Sequence, residues 1–156
     1  MEKEEALVKK IKGKFNFLEG ECKVARIRRI WIEITKDKIM EFIKYMKNDL
    51  GFNFLCTITG LDCIEYYQVI YHFANDDGII INLKLNVPKD NPKIESIIGI
   101  FEGSIFYERE LKDMLGIEVI GLPQGRRYPL PDDWPIDQHP LRKEWKPVVS
   151  SAVKEA

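Results

Sequence analysis

Apolar positions along this chain fall into two alternating rhythms. Near the start, Leu7, Val8 and Ile11 share one face of residues 2–12 and Glu and Lys fill the other, which predicts a short amphipathic helix. Ile30, Ile32 and Ile34 then alternate with Arg29, Trp31 and Glu33, the period of a half-buried strand. Thr35 stands where a cap would be. After it, Ile39, Phe42, Ile43 and Met46 repeat at i, i+3, i+4 and i+7, so a second helix is expected, with Gly51 at its C-cap. Residues 54–59 read as a strand. Residues 66–74 and 79–87 read as an antiparallel hairpin around Asn75-Asp76-Asp77-Gly78. In its second strand Ile79, Ile81, Leu83, Leu85 and Val87 share a face, and Asn82, Lys84 and Asn86 lie opposite. One face of the sheet is therefore core, and the other is polar or covered by something polar.

Beyond Pro88, Asn91-Pro92 predicts a helix start, with Ile94, Ile97, Ile98 and Phe101 as its buried stripe. Gly103 breaks it. Ser104 is expected to cap a further helix over 105–115 that Gly116 closes. The order predicts an α+β fold, helices packed on a mostly antiparallel sheet, over residues 1–115, followed by an extended, irregular C-terminal arm over 116–156.

A length of 156 residues suits one domain with its own core, and a net charge of −1 gives no general pull toward nucleic acid. No apolar run approaches the roughly 20 residues of a membrane span. The N-terminal MEKEEALVKKIKGK has no signal core, so a cytoplasmic setting is expected. Cys22, Cys56 and Cys63 form no CxxC pair and argue against a disulfide framework or a thiolate cluster.

Self-contained chemistry is hard to find. His72 and His139 are far apart in sequence, with no cysteine at ligand spacing, and no phosphate loop or nucleophile elbow occurs. Glu108 and Glu110, two apart, point about 200° apart on a helix and make a poor acid–base pair. Arg109 and Asp113, at i and i+4, are expected to pair on one helix face. Arg126-Arg127 can bind an anion, and an intersubunit salt bridge is the favoured reading. Two readings remain open from the residues alone: an enzyme using the acidic helix, and a plain binding module.

The segment from Glu108 to Trp145 carries the most information. It mixes Arg109, Arg126, Arg127, Arg142 and Lys143 with Glu108, Glu110, Asp113, Asp132 and Asp133, and prolines, glycines and two tryptophans interrupt it. Proline removes an amide donor and fixes φ, so this is neither one helix nor one strand. Its large apolar groups also set it apart from a disordered tail. Such an arm needs a surface to lie on, and most of that surface is expected outside this chain.

Four blocks extend this reading: ERE-x-x-DMLGI (108–117), GLP-x-x-RRY (121–128), LPDDW (130–134) and HPLRKEW (139–145). Together with TITGLD (57–62), YQVIYHF (67–73) and LNVPKDNPKIES (85–96), they resemble the 30-kilodalton subunit family of respiratory complex I. That family includes the matching small subunit of membrane-bound, energy-converting NiFe hydrogenases. The resemblance covers roughly residues 30–145. It implies a cofactor-free assembly subunit with no catalytic or metal-binding residue of its own. It implies packing against a large subunit that houses the NiFe or quinone site, beside small iron–sulfur subunits. Membrane contact would come only through the complex, on the cytoplasmic face, with no nucleic acid involved. Glu108, Arg109, Glu110, Asp113, Arg126, Arg127, Asp132, Asp133, Trp134, His139, Arg142, Lys143 and Trp145 are the implied subunit-interface residues. Leu122 stands where many respiratory members have histidine, and Tyr128-Pro129 where they have two leucines. These departures resemble the hydrogenase-type and ferredoxin-linked complexes. The alternative is the corresponding 30-kilodalton subunit of an NADH, or other donor, quinone oxidoreductase of the complex I type.

Overall fold

The period-two pattern between residues 22 and 88 becomes one sheet. The computed structural model describes residues 1–18 and 21–147. Its main sheet contains β1 (Cys22–Arg26), β2 (Arg29–Ile34), β3 (Phe54–Asp62), β4 (Tyr66–Ala74) and β5 (Ile80–Pro88), in the order β1-β2-β5-β4-β3. Helix α1 (Glu2–Lys14) precedes it, and α2 (Ile39–Leu50) joins β2 to β3. By carrying the chain across the sheet, α2 lets the β3-β4-β5 meander return to β2. β5 therefore pairs with β2 in parallel, and the other three pairings are antiparallel.

Register explains the core. Ile30, Ile32 and Ile34 stand beside Ile81, Leu83 and Leu85, which in turn stand beside Phe73, Tyr71 and Val69. All nine are buried and form one cluster with Phe42, Ile43 and Met46 of α2 and Ile11 of α1. Phe15 joins the two helices, its ring 5.3 Å from both Phe42 and Tyr45. Asn82 faces the other side of β5 yet is buried, because it takes His72 Nδ1 at 2.7 Å and donates to the Ile30 carbonyl.

Three local expectations fail. Thr35 does not cap α2. Residues 35–38 form a turn, with the Lys38 amide on the Thr35 carbonyl, and the helix begins at Ile39. Ser104 is the first residue of α3 (Ser104–Leu115) rather than its cap, and its buried hydroxyl finds no partner. Most importantly, 91–101 is not a helix. β6 (Lys93–Glu95) pairs in parallel with β7 (Glu118–Ile120), placing Ile94 beside Val119. The Ile97 amide goes to the Glu108 carboxylate at 2.7 Å instead of to a helical carbonyl. Ile94, Ile97 and Phe101 are buried all the same, so the apolar spacing marks the buried side chains and misstates the backbone between them. Residues 117–119 also stay with the core, since Ile117 and Val119 are buried. The chain turns away from this core after β7.

Helix α3 lies against β3, and Gly60 permits the approach. A Cβ there would sit 2.5 Å from Leu111 Cδ2 and 2.6 Å from Leu115 Cδ1. Both leucines are buried and cannot swing into solvent. Gly60→Ala should therefore lower stability by about 1–3 kcal/mol through overpacking, read as a shift in the urea midpoint. An unchanged midpoint would show that α3 can slide on the sheet without cost.

Candidate functional site

A helix ends with carbonyls that have no intrahelical donor. In α3 five consecutive carbonyls find partners from later in the chain. Gly116, left-handed at φ 72°, and Ile117 place their amides on Lys112 and Leu111. The next three are taken by the arm. His139 Nδ1 donates to the Asp113 carbonyl at 2.8 Å, the Leu141 amide to Met114 at 3.0 Å, and Arg142 Nε to Leu115 at 2.8 Å. Gly116 leaves the surface bare for this contact, since a Cβ on it would collide with His139 and Arg142.

Two carboxylates secure the arm on either side of that end. Asp113 takes Arg127 Nε at 3.4 Å and the Tyr128 amide at 3.0 Å. Arg127 also donates to the Trp134 carbonyl. The expected pairing of Asp113 with Arg109 is not made, because Arg127 arrives together with a backbone amide. Arg109 lies under Gly125 instead, where any Cβ would strike its guanidinium. On the other side, Asp62 at the end of β3 takes Lys89 at 2.7 Å, the Ile64 amide at 2.9 Å and the Lys143 amide at 3.0 Å. Lys89 and Arg142 both stand over the Tyr67 ring. Trp134 and Trp145 close the far end, 6.1 Å apart, sharing Gln138 through its carbonyl and its side chain.

The arm is thus anchored to its own domain at the end of α3 and at Asp62, while most of residues 120–147 stay exposed. The physical reason is the set of helix-end carbonyls that it caps. Residues 148–156 of the expected arm lie outside the described residues.

The structure sorts the sequence-derived residues into two groups. Glu108 is fully buried, with the Ser96 hydroxyl at 2.6 Å and the Ile97 amide on its two oxygens, so it has no surface to offer a partner. Asp113, Arg127, Trp134, His139, Arg142 and Trp145 hold the clasp described above. Arg126 and Asp132 pair at 2.9 Å on the surface. Among the described residues, the side chains of Arg109, Glu110, Asp133 and Lys143 make no hydrogen bond or ion pair. Sequence reasoning gave no role to Asp62, Lys89, Tyr67 or Gln138. Asp62 was visible at the end of TITGLD, but its partner in the arm lies 81 positions away.

Among the described residues no grouping of three or more His, Cys, Asp or Glu is placed to hold a metal ion, and no helix is long and apolar enough to cross a membrane.

The model of the respiratory-chain NADH dehydrogenase 30 Kd subunit family matches residues 32–149. The chain belongs to this family. It is 32% identical to one subunit of the F(420)H(2) dehydrogenase of Methanosarcina mazei, over 90% of each chain. It is 30% identical to the beta subunit of the membrane-bound hydrogenase of Pyrococcus furiosus, over 100% of this chain and 94% of that one. Its fold matches a chain of the membrane-bound sulfane sulfur reductase, an archaeal respiratory membrane complex. That match has a TM-score of 0.84 and 27% identity and covers 94% of this chain and 87% of the other. These relatives are subunits of multi-subunit oxidoreductases, and the α+β reading holds with them.

Asp62 makes the clasp sensitive to acid. Burial alone would push its carboxyl up, but Lys89 and the Lys143 and Ile64 amides outweigh burial and hold it at about 2. A folded value below the unfolded one gives stabilisation that is complete above about pH 4. It is lost as pH falls toward 2. Acid titration should therefore release the arm, seen as a change in Trp145 fluorescence between about pH 4 and 2. Asp62→Asn should abolish that transition, and an identical transition in the variant would place the sensitivity elsewhere.

Proposed function

We propose that the chain is a cofactor-free scaffold subunit of a membrane-bound, ion-translocating redox complex, on the cytoplasmic arm of that complex. It packs on the large subunit and beside small iron–sulfur subunits, and catalysis belongs to those partners. The observation that carries the reading is the clasp. The charged and aromatic blocks that carry the family resemblance are used to fix an arm onto a helix end. The family match and the named relatives support the redox setting.

Within that setting the hydrogenase-type and related complexes are the preferred reading. The relative from Pyrococcus furiosus spans the whole chain, and the sulfane sulfur reductase subunit matches nearly all of the fold. Leu122 is compatible with this preference, packing partly buried against the core. The donor:quinone alternative is kept by the family itself, whose description is a respiratory NADH dehydrogenase subunit.

Purification of the tagged chain from its native cells in mild detergent tests both. A large subunit with paired CxxC motifs should come with it, and one lacking those motifs would favour the quinone reading. Recovery of the chain by itself, or stoichiometric iron, nickel or flavin in the isolated subunit, would end the scaffold proposal.

Arg142 sharpens the test. Arg142→Ala removes a charged donor from the Leu115 carbonyl and a cation from Tyr67, costing about 1–2 kcal/mol of arm attachment. The yield of assembled complex should fall, with normal turnover in what does assemble. Arg142→Lys should restore only part, because an ammonium cannot serve the carbonyl and the ring with one planar group. Full assembly with lost electron transfer would place Arg142 at a reacting site instead.

A further inference from the structure

Beside the clasp, and sharing Asp113, Gly116, Arg127 and His139 with it, runs a groove. It has a volume of about 670 Å³ and lies between α3 and the loop 122–127. Arg109, Lys112, Arg126 and Arg127 line it. Arg127 is neutralised by Asp113 and Arg126 by Asp132, while Glu118 on the opposite wall is paired with Lys93 at 2.8 Å. Arg109 and Lys112 remain. Among the described residues neither makes a hydrogen bond or an ion pair through its side chain. Arg109 is half-buried beneath Gly125. A guanidinium drawn partly out of water is costly unless a counter-charge meets it. The rim is apolar, with Leu122, Pro123 and Ile136, and Ile136 is 86% exposed.

We propose that this groove is the docking site for an extended acidic segment of a partner protein, with two carboxylates at alternate positions and an apolar residue nearby. The reading rests on the scaffold function for the source of the segment. Side chains three apart on a helix, as Arg109 and Lys112 are, lie about 5–6 Å apart at Cβ. Alternate side chains of an extended strand lie about 6.6–6.8 Å apart. One carboxylate on each cation is therefore reachable without bending the segment. A bidentate contact to Arg109 supplies the missing counter-charge, and the apolar residue covers Ile136. A small free anion would leave that rim in water. Nucleic acid fits poorly, because no Phe, Tyr or Trp lines the groove for a base to stack on.

The test uses the full-length chain and a fluorescein-labelled octapeptide with glutamate at alternate positions and one leucine, read by fluorescence anisotropy at low salt. Saturable binding is expected, and the glutamine version of the peptide should not bind. Lys112→Glu is fully outside the clasp and should fold normally. It should weaken binding at least ~10-fold by placing like charge against the peptide, and Arg109→Gln should weaken it further. No saturable binding, or equal binding to Lys112→Glu, would overturn the proposal. Displacement of the peptide by an equal concentration of inorganic phosphate would also overturn it, by making the groove a small-anion site. Failure of the scaffold reading would appear instead in the co-purification, which does not involve this peptide.

Discussion

Everything distinctive in this fold depends on the C-terminal end of α3. The last four carbonyls, from Lys112 to Leu115, must find donors there, and the helix cannot supply them. Its own continuation serves one, through the Gly116 amide, and the arm serves three. A buried carbonyl left unpaired costs about 1–3 kcal/mol, so α3 and the arm stabilise each other. The irregular backbone of residues 121–145 follows from this. A regular strand or helix would consume its own amides, whereas an irregular segment with prolines and charged forks leaves donors free to reach the helix end.

The start of α3 is pinned by a second polar contact of opposite logic. Glu108 brings a carboxylate into the interior and gives it two donors, the Ser96 hydroxyl and the Ile97 amide. A buried charge without such partners would be expelled or neutralised. With them it ties α3 to the segment before it, and Gly60 lets the same helix settle on β3. The helix is thus fixed at its base by Glu108, along one face by Leu111 and Leu115, and at its tip by the arm. A rigid tip is what allows the adjoining groove to present Arg109 and Lys112 in a constant arrangement.

Legibility in the sequence followed the range of the interaction. The hairpin over residues 66–88 was readable because alternation, β-branched residues and Gly78 in its turn all act within a few positions. Gly51 and Gly116 were readable as helix ends for the same reason. Residues 91–101 misled because Ile94, Ile97 and Phe101 satisfy a helical stripe while their amides answer to β7 and Glu108. Periodicity reports which side chains are buried and is blind to where the amides go. β1 escaped notice because only Cys22 in it is buried. The arm was legible as a set of motif blocks and illegible as geometry. Its contacts join positions 14 to 81 apart, as between Asp113 and Arg127 or Asp62 and Lys143, and no local pattern encodes such distances.

That separation also changes what the charged arm means. Read as sequence, its arginines and aspartates form one undivided adhesive surface. In the structure most of them are already satisfied by their own chain, and a satisfied pair offers a partner little beyond shape. Among the described residues, the charged side chains left without a hydrogen bond or ion pair over residues 108–147 are Arg109, Glu110, Lys112, Asp133, Asp137, Lys143, Glu144 and Lys146. Intrachain pairs set the frame, and in the proposed docking the unpaired Arg109 and Lys112 would carry the specificity. A partner that answers those two charges would also cover the exposed Ile136. Apolar area of that kind supplies affinity, and the charges fix the register in which it is buried.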